Sequence, residues 1–343
     1  MKAVVINKNG TPDVFEYVEH FAEPEIASKE VLVNIKYTSL NRVDLHIRQG
    51  YPGLNLNFPH ILGADIAGVV AKVGAQVEDF KTGDFVISYP VVLPENLDPK
   101  YDGMEHLNDN WKFFGMHMKG SYCQYVAVPK ENLIKLNHDT KFEEACTLPV
   151  AGLTAYHSVF TVGNLKEDDV FFFWGGSSGL GAFAIQLAKL RGATVITTVG
   201  NERKKDGVLA LGADYVFNHY SDDVVANVLK IFPKGVDVVL DYVASATFEK
   251  SLAMLRKNGK LLVCGMQTSP EVTLNLQRFY FRHLNLCGLY LGSPTEFNSL
   301  VQLYNQGRIK PKIDRVFDLK ETANAHKYME SGQHSGKILL AIE

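Results

Sequence analysis

The chain has 343 residues, of which 46% are hydrophobic and 21% are charged, and its formal net charge is −3. This length suits about two domains, and the small negative charge argues against nucleic acid or an anionic membrane as a partner. Apolar runs such as Val170–Trp174 are too short to span a bilayer, and a strand-like run, Ala3–Ile6, begins almost at once without a signal peptide before it. We therefore expect a cytoplasmic protein.

Short alternating apolar runs predict that residues 1–150 form a β-rich domain. The predicted strands are Val31–Tyr37, Asp65–Val73, Asp84–Ser88 and Tyr122–Val128. A helix is predicted from Arg42 to Gln49, ending at Gly50, because glycine can adopt the positive φ of a helix end. The Pro-, Asn-, Asp- and Gly-rich stretch from Pro90 to Gly120 predicts an extended surface lobe.

After Pro149 the pattern changes to strands that alternate with helices. The predicted strands are Val170–Trp174, Thr194–Val199, Tyr215–Phe217, Val236–Asp241 and Lys260–Cys264, with a helix over Ala246–Leu255. This alternation predicts βαβ units and a parallel sheet.

The turn after the first parallel strand is rich in glycine and opens a helix. It runs Gly175-Gly176-Ser177-Ser178-Gly179-Leu180-Gly181. Glycines there let the backbone approach a pyrophosphate, while the helix start offers free N–H groups. The strand–turn–helix context predicts a dinucleotide site made by Gly176, Ser177, Ser178, Gly179, Leu180 and Gly181.

The same loop also fits the G-x-S-x-G nucleophile elbow of serine hydrolases. Asp241 with His283 or His326 could formally complete a triad around Ser177. No HGGG-like oxyanion loop precedes the serine, so this alternative is the weaker one.

The end of the second parallel strand bears on the choice between NAD(H) and NADP(H). NAD sites usually carry an acidic residue at this tip, whereas this chain has Gly200 and Asn201, followed by Glu202, Arg203 and Lys204. Arginine and lysine can pair with a 2′-phosphate, which predicts NADP(H), although both residues could instead begin a solvated helix.

Several motifs together resemble the medium-chain dehydrogenase/reductase superfamily. They are Ser39–Asp44, Arg48–Gly50, Gly63–Val70, Leu148–Tyr156 and Gly336-Lys337. The branch most similar is the zinc-independent quinone oxidoreductases. The resemblance implies an α/β fold: a GroES-like β-rich catalytic domain over 1–150 and 291–343, and a Rossmann domain with a doubly wound parallel sheet over 151–290. It also implies a homodimer or homotetramer.

The resemblance places Asn41, Ala64 and Val150 where zinc-dependent relatives carry their metal ligands, and Asp65 where they carry a glutamate. Alanine and valine cannot ligate zinc, so we expect that no metal is required. The four cysteines contain no CxxC pair, which argues against a zinc ribbon or a redox dithiol. Candidates for a stray metal in the lobe are His106, Asp109 and His117.

Three residues are predicted to be catalytic through the resemblance. Asn41 falls where the substrate oxygen is held, although it could merely cap the following helix. His46 matches a proton-relay histidine whose hydroxyl partner is replaced here by Val43. Tyr51 lies one residue out of register with an active-site tyrosine. Asp44 is predicted to be structural, paired with Arg48 at i,i+4.

Further cofactor contacts are predicted from topology and resemblance. Val243, Cys264 and Gly265 lie at the carboxyl ends of later strands, where ligands of such sheets bind. Arg42, Thr154, Leu289, Tyr290 and Lys337 are added by resemblance.

The hypothesis that unites these features is hydride transfer from NADPH to a quinone or an α,β-unsaturated carbonyl compound. The second proton would come from His46, Tyr51 or water. Two alternatives stay open: a zinc-free alcohol dehydrogenase, and a non-catalytic NADPH-binding protein with a structural or regulatory role.

Overall fold

The protein, analysed as a computed structural model that describes residues 1–342, consists of two compact units. The first unit joins Met1–Ala151 with the segment that begins at Ser293, and the second is Gly152–Gly292.

The first part of unit one is mostly β-structure. Its elements are β1 (Ala3–Ile6), β2 (Phe15–Val18), β3 (Glu30–Ser39), α1 (Arg42–Gln49), β4 (Ala67–Val73), β5 (Phe85–Ser88), β6 (Val91–Val92), β7 (Lys112–Phe113), β8 (Tyr125–Pro129), β9 (Leu133–Lys135) and α2 (Phe142–Ala145). The predicted helix α1 has the expected bounds, and Gly50 ends it with a φ of 105°. The predicted lobe contains β6, β7 and two single 3-10 turns.

Unit two is the alternating α/β part of the chain. Its elements are α3 (Leu153–Tyr156), β10 (Val170–Phe173), α4 (Gly179–Leu190), β11 (Thr194–Val199), α5 (Lys205–Leu209), β12 (Tyr215–Asn218), α6 (Val224–Ile231), β13 (Val236–Asp241), α7 (Phe248–Met254), β14 (Leu255–Val263), α8 (Leu276–Phe281) and β15 (Asn285–Gly288). All six strands are parallel, in the order β12-β11-β10-β13-β14-β15, as the Rossmann prediction required.

Helix α7 and strand β14 differ from their predicted bounds. The predicted helix Ala246–Leu255 is shorter, and the strand predicted from Lys260 already begins at Leu255. Asn258 has a φ of 61°, and the pairing with β13 shifts in register before Lys260. The chain therefore leaves the helix directly into an irregular strand.

The last segment returns to unit one. It contains α9 (Pro294–Asn305), β16 (Ile313–Asp318), α10 (Thr322–Glu330) and β17 (Lys337–Ala341). Two π-helical turns lie earlier in the chain, on either side of α3, at Leu148–Gly152 and His157–Val162. The unit's seven-stranded sheet has the order β16-β17-β3-β4-β5-β9, and β8 also pairs with β3. Strand β17 pairs with the end of β3, with Leu339 opposite Ser39. Within residues 1–342 no helix is both long and apolar enough to cross a bilayer.

Candidate active site

A buried polar cluster forms where β3 meets β17 and continues into α1. The Lys337 ammonium, 4% exposed, donates to the backbone oxygen of Leu40 at 2.8 Å, to Asn41 Oδ1 at 2.7 Å and to Asp65 Oδ2 at 3.4 Å. Asn41 Nδ2 donates to the same Asp65 oxygen at 2.8 Å. Ser39 Oγ donates to Asp65 Oδ2, and the backbone N–H of Val150 donates to Asp65 Oδ1 at 3.0 Å.

The cluster leaves Asn41 with one lightly used donor. Its Oδ1 is bound to Lys337 and one Nδ2 hydrogen to Asp65, while the nearest acceptor for the other is the Ser39 carbonyl oxygen at 3.5 Å. A contact of that length is weak. Asn41 is 7% exposed, so the side chain is a fixed donor held on two sides.

The start of α1 is held by a capping box between Asn41, which is the N-cap residue, and Asp44. Asp44 Oδ2 accepts from the backbone N–H of Asn41 at 2.7 Å and from the Tyr122 hydroxyl at 3.1 Å. Asn41 thus occupies the helix-cap position that the alternative prediction gave it, and this position coexists with its side-chain contacts to Lys337 and Asp65.

Behind Asp44 lies a second buried chain of polar groups that the sequence did not reveal. The Tyr122 hydroxyl lies 3.2 Å from His326 Nε2, and His326 Nδ1 lies 3.1 Å from Arg48 Nη1. Because arginine can only donate, His326 Nδ1 accepts, its Nε2–H points to Tyr122, and the tyrosine hydroxyl donates to Asp44. Burial and the charge of Arg48 hold the pKa of His326 well below its usual range, which fits this neutral tautomer.

The predicted pairing of Asp44 with Arg48 is wrong. Arg48 is fully buried and binds Glu330, His326 and the Gly10 backbone oxygen instead. Asp44 Oδ1 has no hydrogen-bond partner among residues 1–342, and burial raises the Asp44 pKa to about 7.

The other predicted catalytic residues lie on or beyond α1. His46 is half-buried on the helix, as is Arg42, and Tyr51 is 37% exposed just after Gly50. None of them belongs to the Lys337–Asn41–Asp65 cluster, and their predicted roles stay predictions.

The glycine loop leads from β10 into α4 and leaves little room for side chains at two of its positions. Ser178 Oγ caps α4 by accepting from the Gly181 N–H at 3.0 Å. A Cβ on Gly181 would lie 2.8 Å from the Gly175 carbonyl oxygen, and one on Gly176 would lie 2.5 Å from Thr197 Oγ1. Both positions therefore require glycine. The loop has no side chain at these two positions beside the start of α4, and such an arrangement lets an anion approach the backbone N–H groups.

The hydrolase alternative finds no support at the same loop. Ser177 is 8% exposed, while the Asp241 carboxylate accepts bonds from Thr247 Oγ1 and from the turn that follows β13. His283 is exposed, and His326 is hydrogen-bonded within unit one. The side chains named for a triad thus have other roles.

The tip of β11 carries the residues predicted to choose between NAD(H) and NADP(H). Asn201 Oδ1 accepts from the Arg203 backbone N–H at 3.0 Å, and the Arg203 side chain is exposed. Lys204 is half-buried, and the Glu202 carboxylate is paired with Lys205 at 2.9 Å. Gly200 follows the strand, and the tip beyond it carries the cationic side chains of Arg203 and Lys204 beside a Glu202 carboxylate that is paired with Lys205.

The remaining predicted cofactor residues lie mostly at strand ends of unit two. Val243 follows β13, Cys264 and Gly265 follow β14, and Leu289 and Tyr290 follow β15. Burial raises the Cys264 pKa to about 12, so its sulfur stays a thiol. Thr154 is buried in α3. The parallel sheet brings the first five of these to the same edge, where ligands of such sheets bind.

Potential metal ligands do not cluster within residues 1–342. No three His, Cys, Asp or Glu side chains there lie close enough together to hold a metal ion, including those of the lobe.

Comparison with known proteins agrees with both units. Residues 27–138 match the alcohol dehydrogenase GroES-like domain, and residues 179–306 match the zinc-binding dehydrogenase family. The zinc-type alcohol dehydrogenase-like protein of Schizosaccharomyces pombe is 30% identical, over 92% of this chain and 91% of that relative. The quinone oxidoreductase of Sus scrofa is 25% identical over 100% of this chain and 98% of that relative.

A solved structure extends the likeness to the whole fold. A crystal structure of an NAD-dependent alcohol dehydrogenase superimposes with a TM-score of 0.96 at 32% identity, covering 100% of both chains. This protein is thus an oxidoreductase with a GroES-like unit and a Rossmann unit. It belongs to the medium-chain dehydrogenase/reductase superfamily.

Proposed function

We propose that the protein is a zinc-independent, NADP(H)-dependent reductase of quinones or α,β-unsaturated carbonyl compounds. The observation that carries this proposal is the buried Lys337–Asn41–Asp65 cluster, which presents an amide donor at the position that the superfamily uses for a metal ligand. An ammonium 2.7 Å from Asn41 Oδ1 disfavours a second cation at that oxygen by charge repulsion.

The cofactor would be held by unit two. The glycine loop over Gly176–Gly181 fits a pyrophosphate, because its backbone is bare and the α4 N-terminus is adjacent. Arg203 and Lys204 fit a 2′-phosphate, while the Glu202 carboxylate is paired with Lys205. When bound, NADPH supplies the hydride. This assignment departs from the alcohol dehydrogenase that is named NAD-dependent.

The chain's own residues would stabilise charge on the substrate oxygen. Asn41 donates its second Nδ2 hydrogen to that oxygen, and preorganised donors of this kind act most strongly in a site shielded from water. His46, Tyr51 or water provides the proton that completes the reduction. Val43 stands where a relay through His46 would need a hydroxyl group, and valine cannot pass on a proton. Proton transfer from Tyr51 or from water is therefore the simpler route.

A zinc-free alcohol dehydrogenase is the second candidate, because two of the relatives are named alcohol dehydrogenases. The same donor would then bind an alcohol oxygen, and oxidation would run with NADP⁺. A non-catalytic NADPH-binding protein would keep the glycine loop and show turnover with neither class of substrate.

The first test is NADPH oxidation at 340 nm by chelator-treated protein, with a naphthoquinone and a 2-alkenal as parallel acceptors. We expect turnover with one of them, at least tenfold higher kcat/KM for NADPH than for NADH, and no gain on adding zinc. Equal use of NADH would overturn the NADP(H) assignment. Activity that appears only with zinc would overturn the metal-free mechanism, and oxidation of simple alcohols alone would select the second candidate.

We also propose that the protein is a homodimer or homotetramer. Unit two exposes large apolar side chains on α8 and on the edge strand β15: Leu276 is 66% exposed, Phe281 62%, Tyr280 60% and Leu286 44%. Such a patch beside an open sheet edge is typical of an interface.

A further inference from the structure

The proposed function assigns the substrate oxygen to a neutral amide, which is a weak donor by itself. Resting on that function, we propose that Lys337 is a positioning residue of the reaction: it fixes the orientation of the Asn41 amide and polarises it, without contacting substrate or cofactor. The resemblance had suggested Lys337 as a cofactor contact, so this is a different role for the residue.

The orientation of the Asn41 amide follows from the two charges beside it. The carboxamide oxygen faces the Lys337 ammonium at 2.7 Å, and its nitrogen faces Asp65 Oδ2 at 2.8 Å. If the amide were flipped, its oxygen would face the Asp65 carboxylate and its N–H groups would face the Lys337 ammonium. Both hydrogen bonds would then be replaced by repulsive contacts. The pair of charges thus selects one rotamer, the one in which Nδ2 carries a spare hydrogen.

The ammonium also changes the strength of that donor. A cation bound to a carboxamide oxygen draws electron density from the nitrogen, so the N–H groups become more positive. Lys337 and Asn41 are 4% and 7% exposed, so water screens this effect little.

The ammonium has no donor left for a phosphate. Its three hydrogens match three protein acceptors: the Leu40 backbone oxygen, Asn41 Oδ1 and Asp65 Oδ2. The structure also fixes the lysine backbone, because its N–H donates to the Lys312 carbonyl oxygen at 2.8 Å at the start of β17. All three hydrogens of the Lys337 ammonium are therefore used within the protein, two of them by Asn41 and Asp65.

The test is a double-mutant cycle of Lys337→Met and Asn41→Ala, with kcat, KM and the Kd of NADPH measured for each variant. We expect each single change to lower kcat at least tenfold with NADPH Kd within about twofold of wild type, and the double variant to be no slower than Asn41→Ala alone. Lys337→Arg keeps the charge and should recover part of the lost turnover. The exposed Lys320→Met serves as the control, expected to match wild type.

Two results would overturn the proposal: multiplicative losses in the double variant, or a large rise in NADPH Kd for Lys337→Met, which would make the lysine a cofactor ligand. If Lys337→Met does not fold, Lys337→Arg is compared with Asn41→Ala instead: a kcat above that of Asn41→Ala supports the charge effect, and a kcat no higher than that of Asn41→Ala opposes it.

A second readout needs no activity. In protein labelled with ¹⁵N-asparagine, the Asn41 side-chain amide signal is assigned by its loss in Asn41→Ala. We expect that signal to shift in Lys337→Arg and to stay unchanged in Lys320→Met. An unchanged signal in Lys337→Arg would refute the contact, whereas a wild-type protein that turns over no acceptor would refute the proposed function alone.

Discussion

Asp44 is a fully buried carboxyl group, and only one of its two oxygens accepts hydrogen bonds within residues 1–342. Oδ2 accepts from the Asn41 backbone and from Tyr122, whereas Oδ1 lacks a partner among the described residues. Burial raises its pKa from the usual 3.8 to about 7, so the folded protein prefers the protonated form below neutral pH. The residue thus links the conformation around Asn41 to pH.

We expect Asp44→Asn to remove a pH dependence of stability. A folded pKa above the unfolded one means that the contribution of Asp44 is fully present below pH 3.8 and is lost as the pH rises to about 7. A difference of this size corresponds to at most about 4 kcal/mol. Urea unfolding at pH 4.5, 6 and 8 should show the wild type losing stability relative to Asp44→Asn. The exposed Asp139→Asn should run parallel to wild type, and parallel curves for Asp44→Asn would contradict the assignment.

Arg48 and His326 show where prediction from the sequence stops at the level of single residues. Arg48 stands four residues after Asp44, and the i,i+4 rule pairs them, but its partners Glu330 and His326 lie 282 and 278 residues away. Local spacing cannot report such contacts. Asn41 and Asp65 could be singled out from local motifs, but their contact with the Lys337 ammonium could not, because it depends on how β17 pairs with β3.

At the scale of elements, prediction worked best where glycines or buried strands mark the boundaries. Strands β1, β11 and β13 and helix α1 have the predicted bounds. The glycine loop also lies between a strand and a helix, as expected. Strand β2 was missed because Phe15–Val18 is short and only partly buried. Helix α7 ends earlier than predicted because Leu255 is the first residue of β14 and pairs within the sheet.

Gly181→Ala tests the loop as an element. The added methyl carbon would lie 2.8 Å from the Gly175 oxygen, so the loop must move, at a cost of about 1–3 kcal/mol. We expect the Kd of NADPH, measured by fluorescence titration, to rise at least tenfold. Asp223→Ala removes the α6 cap and costs about 1 kcal/mol, yet it should leave the Kd unchanged. Wild-type affinity in Gly181→Ala would argue that the cofactor binds elsewhere.

For the whole molecule, we propose that the exposed edge of unit two forms the interface between copies of the chain. Leu286 on β15 and Leu209 on α5 are both 44% exposed, but only Leu286 lies on the edge strand. We expect Leu286→Lys to shift the protein from dimer or tetramer toward monomer in sedimentation, because it places a charge in the interface, while Leu209→Lys keeps the wild-type mass. A wild-type monomer, or an unchanged mass in Leu286→Lys, would contradict the proposed interface.

The pairing of β17 with β3 has a consequence for how the protein is made. Lys337 and Asn41 are 296 residues apart, with the whole of unit two synthesised between them. Synthesis runs from the N-terminus and domains tend to fold as they emerge, so unit two can fold while unit one still waits for its last strands. A nascent chain can thus carry a folded glycine loop long before Asp65 meets the Lys337 ammonium. The order of translation keeps the buried cluster around Asn41 unassembled until β17 has been synthesised.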